Sequence, residues 1–245
     1  MTTSNLMRIA EFAEEQWGLV TRRQLESVAI PATTIDRLTA SDSVLERVAH
    51  GVYRLVGSPT PDHFELRVAW LQLAPGVPAW GRTPTQGVVS HRSAAALYGV
   101  GDLPADRHDF TLTLRKQSRR QDVRLHRRPL ADVEWIRLRG LPVTRPARIA
   151  SDLLYDHEDP GAVAQIIVDS IRLAFDHPGT FALSLSPHAA RFGLRRDDGI
   201  ALLRWLFDLA KNDQSANWMK EARDSIQQIT DAAQPFQGPR SGVDS

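Results

Sequence analysis

The sequence predicts an α+β fold, and three observations along its 245 residues support that class. Apolar residues recur at helical spacing up to about residue 40, and two short alternating segments then flank the turn Ala49-His50-Gly51. Apolar positions alternate again between residues 110 and 138, as they do in strands, and helical spacing returns from Pro146 onward. Three short helices followed by one hairpin is the element order of a winged helix-turn-helix, which we predict for the N-terminal region.

The first two predicted helices are defined by an apolar stripe and by a cap. The stripe of the first helix consists of Leu6, Ile9, Ala10, Ala13 and Trp17, and Gly18 ends the helix. The second helix begins at Thr21-Arg22-Arg23-Gln24, which has the spacing of a capping box. In such a box the threonine oxygen and the glutamine side chain satisfy free amides at the helix start.

The third helix is predicted to begin at Pro31, because proline fits the first turn of a helix. Ile35 and Leu38 form its buried edge. The polar residues that then face solvent or a groove are Thr33, Thr34 and Arg37. Ser41-Asp42-Ser43 is predicted to end the helix.

The hairpin and the region after it set the predicted domain boundaries. Residues 44–48 pair with residues 52–56, and Gly57-Ser58-Pro59-Thr60-Pro61 predicts a hinge between domains. We expect a winged helix-turn-helix domain at 1–57, a mixed α+β domain at 62–232 and a disordered tail at 233–245. The C-terminal helices of the larger domain are its expected surface for protein contacts.

The larger domain is predicted to mix helices and strands. Strands are expected at 110–114, 123–125 and 133–138, with arginines at the intervening positions. Helices are expected at 64–73, from Ser90 to about Gly99, from Pro146 to Leu154, and at 162–175, 198–211 and 215–230.

Charge is distributed unevenly along the chain, whose formal net charge is +1. The first 60 residues are near neutral, with six Lys and Arg against seven Asp and Glu. Residues 107–148 hold twelve basic against four acidic residues, a net charge of +8, whereas residues 149–245 hold nine against fourteen, a net charge of −5. The basic middle region predicts contact with an anionic partner, and its arginines suit bidentate phosphate contacts.

The residue types argue against enzymatic chemistry. The chain has no cysteine, which excludes disulfides, thiolate metal sites and cysteine nucleophiles. The histidines are scattered without the spacing of a metal site, and Asp156-His157-Glu158-Asp159 fits a solvated turn. No phosphate-binding glycine loop or Gly-x-Ser-x-Gly elbow occurs. We therefore expect no catalytic residues, no cofactor and no metal, and a regulator instead of an enzyme.

The start of the chain and its hydropathy predict a soluble protein of the cytoplasm. Met1-Thr2-Thr3-Ser4-Asn5 passes directly into a charged amphipathic segment, without the apolar core of a signal peptide. No uncharged apolar run approaches the roughly 20 residues of a membrane helix. The lack of cysteine fits a reducing compartment. We expect no membrane partner.

Several motifs of the N-terminal region occur together in one known family. They are Gly18-Leu19-Val20-Thr21-Arg22-Arg23-Gln24-Leu25, Ile35-Asp36-Arg37-Leu38, Leu45-Glu46-Arg47-Val48 and Gly51-Val52-Tyr53-Arg54-Leu55. Together they resemble the winged domain of AbiEi-type antitoxins. Two later motifs are similar to the segments that follow in that family, Ser90-His91-Arg92-Ser93-Ala94-Ala95 and Leu141-Pro142-Val143-Thr144-Arg145-Pro146-Ala147-Arg148. The resemblance covers roughly residues 6–156.

The resemblance implies a type IV toxin–antitoxin system. Antitoxins of this family repress their own operon and oppose a nucleotidyltransferase-like toxin encoded beside them. Two partners are therefore implied, namely the double-stranded DNA of the protein's own operator and a cognate nucleotidyltransferase-like toxin. Binding to DNA as a monomer and as a homodimer are both compatible with the sequence.

A winged helix-turn-helix places its third helix in the major groove and its hairpin on the flanking backbone or minor groove. The candidates for phosphate contacts in that arrangement are Arg22, Arg23 and Arg54. The candidates for base edges are Thr33, Thr34 and Arg37, and His50 at the hairpin turn is a candidate for the minor groove. Asp36, next to Arg37, weakens the electrostatic case for DNA binding.

The densest basic run extends from Arg115 to Arg128. Its candidates for phosphate contacts are Arg119, Arg120 and Arg128, each worth close to one unit of salt dependence if it touches a phosphate. The run could extend the DNA footprint, bind RNA or a nucleotide, or meet an acidic partner. A solvated hairpin turn is the structural alternative.

The sequence leaves the function open among three classes. The first is a DNA-binding antitoxin and autorepressor, with a stand-alone winged-helix transcriptional regulator as a close variant. The second is a winged fold that docks only on protein, which the near-neutral first 60 residues favour. The third is an antitoxin that modifies its toxin enzymatically.

Overall fold

The computed structural model describes residues 3–40 and 44–233, which divide into two compact units. The first unit contains residues up to Gly99 together with Leu103–Arg145, and the second contains Val100–Asp102 together with the residues from Pro146 onward. The mixed α+β class with a winged N-terminal part and C-terminal helices is confirmed. The predicted boundary after residue 57 lies inside the first unit, so the 1–57 and 62–232 division stays a prediction.

The winged module forms the start of the first unit. We use this name for the elements α1 (Thr3–Glu14), β1 (Leu19–Thr21), α2 (Arg22–Ser27), α3 (Ala32–Ala40), β2 (Leu45–Ala49) and β3 (Val52–Leu55). Its three strands are antiparallel in the order β1-β3-β2. Its core is apolar and includes the fully buried Ile9, Leu25, Ile35 and Leu45. Burial of these side chains against one another is what holds three such short helices together.

A five-stranded sheet forms the rest of the first unit. It consists of β4 (Val88–Val89), β5 (His108–Leu112), β6 (Val123–Arg127), β7 (Trp135–Leu138) and β8 (Leu141–Thr144), in the order β6-β5-β4-β8-β7. Two helices accompany the sheet, α4 (Phe64–Leu73) and α5 (His91–Tyr98). Strands β5 and β6 run parallel, as do β4 and β8, whereas the pairs β4–β5 and β7–β8 are antiparallel.

The parallel pairing of β5 and β6 corrects the hairpin alternative for the basic run. Two antiparallel strands can be joined by a tight turn, but a parallel pair needs a connection that returns to the starting end of the sheet. Residues 113–122 provide this connection without any helix. The basic residues from Arg115 to Arg120 therefore lie on a crossover loop.

The second unit is helical. It contains α6 (Pro146–Tyr155), α7 (Pro160–Arg172), α8 (Pro178–Leu185), a 3₁₀ segment (Ser186–Phe192), α9 (Gly199–Leu209) and α10 (Ser215–Ala233). Helices α8 and α9 approach very closely at Gly199, where a Cβ atom would lie 1.8 Å from the carbonyl oxygen of Ala182. Only glycine is compatible with this contact. No helix of the two described ranges is long and apolar enough to span a membrane.

Two predicted features lie outside the described residues. Ser41-Asp42-Ser43, the predicted end of the third helix, falls in the gap between residues 40 and 44. Of the predicted disordered tail, Ala233 ends α10 and residues 234–245 are not described.

Candidate nucleic-acid interface

The helix-turn-helix is positioned by a buried polar network at the start of α2. The capping box at Thr21 and Gln24 is present as the sequence predicts, since Thr21 accepts from the Gln24 amide and the Gln24 side chain accepts from the Thr21 amide at 2.9 Å. The Gln24 side chain also pairs reciprocally with that of Gln16, at 2.9 Å in both directions. All three polar side chains are fully buried, so their hydrogen bonds fix the direction of α2.

The same two glutamines connect the winged module to the loop after α4. Gln24 donates to the Val77 carbonyl at 3.2 Å, and Gln16 accepts from the Ala79 amide at 2.8 Å. Arg82 braces this loop from inside, because its guanidinium donates to the carbonyls of Leu71, Ala74 and Val77. Burial lowers the pKa of Arg82 to about 9. The residues predicted as a hinge thus join two parts of one unit that share buried hydrogen bonds.

Helix α3 buries its apolar edge and exposes its polar side. Ile35 and Leu38 are buried in the core of the winged module. On the opposite side Thr33 and Arg37 are exposed, and Thr34 is half-buried. The Arg37 side chain makes no hydrogen bond or ion pair with any residue of the described ranges, so its guanidinium is available for an external acceptor.

The acidic neighbour of Arg37 is paired with an arginine on α2. Arg22 donates to the Asp36 carboxylate at 2.8 Å and to Glu26 at 3.1 Å. The hydrogen bond from Arg22 lowers the pKa of Asp36 and raises that of Arg22. Arg22 therefore shares its charge between Asp36 and Glu26 inside the module, whereas Arg37 forms no ion pair with either carboxylate.

Strands β2 and β3 form the wing, with a bulge between Arg47 and Ala49. The turn residue Gly51 has a φ of +69°, a left-handed conformation that side chains disfavour. His50 is exposed at this turn, and Arg47 donates to its Nδ1 at 3.4 Å. Arg54 on β3 is engaged within the protein, because it donates to Glu46 at 2.9 Å and to Thr60 at 2.6 Å.

An open groove of about 260 Å³ separates α3 from the wing. Arg47 and His50 line one side of it, and Asp36 and Thr39 line the other. A second groove of about 280 Å³ begins at Arg22 and Arg23 and reaches His50 and Gln72. Arg23 is exposed and forms no ion pair within the described part of the chain. Sequence reasoning missed Arg47, although its position two residues before the wing turn could have indicated it.

The crossover loop after β5 lies against the wing turn. Gln72 on α4 donates to the His50 carbonyl at 2.9 Å and accepts from Arg120 at 3.0 Å. Arg120 also forms a bidentate ion pair with Asp122 and lies 3.7 Å from Glu65. The Arg120 guanidinium thus bonds within the protein, its role in phosphate contact stays a prediction, and Gln72, which sequence reasoning also missed, connects the loop to the wing.

The fold does not bring together all the residues of the basic run that are predicted to contact phosphates. Arg119 is exposed on the crossover loop, next to the wing turn. Arg128 is half-buried and directly follows β6. The length of this strand, about 17 Å, therefore separates Arg128 from the crossover loop, which ends before Val123. A single surface beside the wing therefore includes Arg119 but not Arg128.

One cluster of histidines corrects the expectation that these residues are scattered. His91 on α5 and His126 on β6 stack with ring centroids 3.5 Å apart. His126 donates to the buried Asp109 carboxylate on β5 at 2.9 Å, and Nδ1 of His91 lies 2.9 Å from the Ser90 hydroxyl. The pairing of β5 with β6 creates this cluster, which no local spacing in the sequence indicates.

The winged module combines a helix-turn-helix, whose exposed Arg37 on α3 forms no ion pair within the described ranges, with an open groove that Arg47 lines on the wing side, an arrangement suited to nucleic acid. Residues 7–56 match the family model described as transcriptional regulator, AbiEi antitoxin. The match extends from α1 to the end of the wing and confirms the resemblance found in the motifs. The AbiEi match supports a DNA-binding regulator of the antitoxin class, a class that is normally non-enzymatic. Comparison of the chain with curated proteins gives no match.

Proposed function

We propose that the protein is a cytoplasmic DNA-binding antitoxin of a type IV toxin–antitoxin system. In this proposal it binds its own operator, represses its own operon and counteracts a nucleotidyltransferase-like toxin. The AbiEi match supports the regulatory class. The observation that carries the DNA-binding role is the exposed Arg37 on α3, which forms no ion pair with the described residues and lies beside an Asp36 that is already hydrogen-bonded to Arg22.

The proposed docking mode assigns a role to each side of the groove. Helix α3 enters the major groove, where Arg37 reads a guanine edge and Thr33 and Thr34 contact neighbouring bases. Arg23 and Arg47 hold the phosphates on either side. His50 reaches the minor groove from the wing turn. Arg22 and Arg54 position the module and do not touch DNA directly.

A titration against the operator tests the DNA-binding role. The duplex is the protein's own upstream region, and affinity is measured by fluorescence anisotropy at low salt. Arg37→Ala should weaken binding by about tenfold or more, because a bidentate arginine–guanine contact is worth about 1–3 kcal/mol. Arg204→Ala, an exposed arginine on α9, is the matched control and should bind as the wild type does. Absence of binding at low salt would contradict the proposal.

The antitoxin role is supported by the family match and is tested separately by co-expression. The adjacent open reading frame is induced with and without this protein, and growth is recorded. Relief of growth arrest is the expected result. Because Arg37→Ala affects only the operator, this variant should still relieve the arrest. Arrest that persists in the presence of the wild type would contradict the toxin link.

A protein-docking role for the winged module is the second candidate. The near-neutral charge of the first 60 residues favours it, with six basic against seven acidic residues. If the module docks only on protein, the operator titration should show no affinity while co-expression still relieves the arrest. The two experiments together therefore distinguish the candidates.

A further inference from the structure

We propose that Arg115, Lys116 and Arg119 form a second phosphate-binding surface that continues the DNA contact beyond the wing turn. The inference rests on the proposed DNA-binding function. It adds to the DNA contact a segment of this chain that lies outside the matched residues 7–56. We call residues 115–120 the basic segment. Its role follows from its path, its anchors, its free charges and its continuity with the wing.

The path of the basic segment is determined by the sheet. Because β5 and β6 are parallel, the chain must return along the sheet between Leu112 and Val123. The ten residues from 113 to 122 do so without a helix. This extended return exposes consecutive side chains from Thr113 to Arg119.

Two anchors hold the basic segment beside the wing. Arg120 is fixed by Asp122 and by Gln72, and Gln72 in turn holds the His50 carbonyl of the wing turn. The cavity between the basic segment and the wing turn has a volume of about 380 Å³, and its lining includes His50, Gln72 and residues 116–120. Residues 116–120 of the basic segment and the wing turn therefore line one continuous surface, and Arg115 directly precedes them.

Three charges of the basic segment, those of Arg115, Lys116 and Arg119, have no acidic partner among the described residues. Arg115 and Arg119 are exposed and form no ion pair with the described residues. Partial burial, and after it the nearby charge of Arg82, lower the pKa of Lys116. The acidic residues near the loop, Asp122 and Glu65, are already paired with Arg120.

Double-stranded DNA is the occupant that fits this position best. The four steps from Arg115 to Arg119 span at most about 14 Å, the axial length of about four phosphates on one strand. The surface also continues directly from the wing turn, so a duplex on the wing would pass over it. Phosphate contacts of this kind add affinity and salt dependence without sequence preference.

The test compares salt dependence and footprint length on the operator duplex. Arg115→Gln/Arg119→Gln should lower the slope of log affinity against log salt by about two units and remove protection on the wing side of a hydroxyl-radical footprint. Arg195→Gln/Arg204→Gln removes two exposed arginines from the second unit and is the matched control, with no change expected. Both double variants should keep the wild-type unfolding midpoint, since all four side chains are exposed.

The outcomes separate this inference from the proposed function. An unchanged slope and footprint in Arg115→Gln/Arg119→Gln, with specific binding still lost in Arg37→Ala, would overturn the second surface and leave the DNA-binding function intact. A loss of RNA or toxin binding with unchanged DNA binding would also overturn it. Failure of the wild type to bind any duplex would instead contradict the proposed function.

Discussion

The N-terminal 60 residues and residues 107–148 both expose arginines that are unpaired among the described residues, although the first region is near neutral and the second is strongly basic. The first 60 residues have six basic and seven acidic residues, yet Arg23, Arg37 and Arg47 remain exposed with no ion pair in the described ranges. Residues 107–148 have a net charge of +8, yet Arg120 is occupied by Asp122, Glu65 and Gln72. Net charge therefore describes a region poorly, because internal pairing decides which cations face outward.

Internal pairing also changes which arginines are the best candidates for phosphate contacts. Arg22 and Arg54 are attractive phosphate contacts on the sequence, but both spend their hydrogen bonds inside the protein. Their acidic partners, Asp36 and Glu46, offset the charges of these two arginines. The paired arginines act as neutralisers of Asp36 and Glu46, and the unpaired ones carry the exposed charge.

The largest expected effect comes from removing the apolar base of α3 while keeping every charge. Leu38→Ala should lower the free energy of unfolding by about 2–5 kcal/mol, because Leu38 is buried in the core of the winged module. Leu209→Ala, at an exposed position of α9, should change it by less than about 0.5 kcal/mol. Urea unfolding measures both. Equal values for the two variants would mean that α3 is not packed as described.

A smaller effect distinguishes an unpaired from a paired arginine on the wing. Arg47→Gln should reduce the salt slope of operator binding by about 0.9, since one phosphate contact is lost. Arg54→Gln should leave the slope unchanged, because its guanidinium is bound to Glu46 and Thr60. The same anisotropy titrations at several salt concentrations give both slopes. A reduced slope only in Arg54→Gln would reverse the distinction between paired and unpaired arginines.

A third variant pair tests whether Arg22 acts through Asp36. Arg22→Ala should weaken operator binding by roughly threefold at low salt, because the Asp36 carboxylate then faces the phosphates. Arg22→Ala/Asp36→Ala should restore the wild-type affinity. If the double variant binds as weakly as Arg22→Ala, Arg22 touches the phosphate itself.

The smallest expected effect is a pH dependence at the two paired carboxylates. Hydrogen bonds from Arg22 and Arg120 lower the pKa of Asp36 and of Asp122 in the folded state. Each pair therefore stabilises the fold above the ordinary carboxylate pKa, and this contribution is lost as the pH falls through the lowered folded value. Urea unfolding of Asp36→Asn and Asp122→Asn should differ from the wild type at neutral pH and converge with it on acidification. A difference that grows on acidification would contradict the sign.

Local patterns in the sequence were sufficient for much of the winged module. The capping box at Thr21, the buried edge of Ile35 and Leu38 and the wing turn at His50 are confirmed, because each depends on neighbours within a few residues. The described α1 ends at Glu14, earlier than a stripe to Trp17 suggested, and Trp17 has a left-handed φ of +59°.

Nonlocal pairing limited the rest. The short strands β1, β4 and β8 and helix α8 were missed, because two to four apolar residues look alike in strands and loops, and Pro178-Gly179 at the start of α8 suggests a turn. The expected strand at 133–138 begins only at Trp135, after a 3₁₀ turn. The parallel direction of β6 and the contact of Gln72 with the wing turn depend on the whole sheet, so the sequence could not supply them.

Because Gln16 and Gln24 complete their hydrogen bonds outside the winged module, we expect the module to be unstable as a separate fragment. Its polar centre is completed by Val77 and Ala79, far beyond the end of the wing. A fragment cut after residue 57 would exchange these bonds for water and uncover the apolar surface around them. Transfer of the winged module to another protein would therefore have to include the chain as far as Arg82, which holds that loop in place.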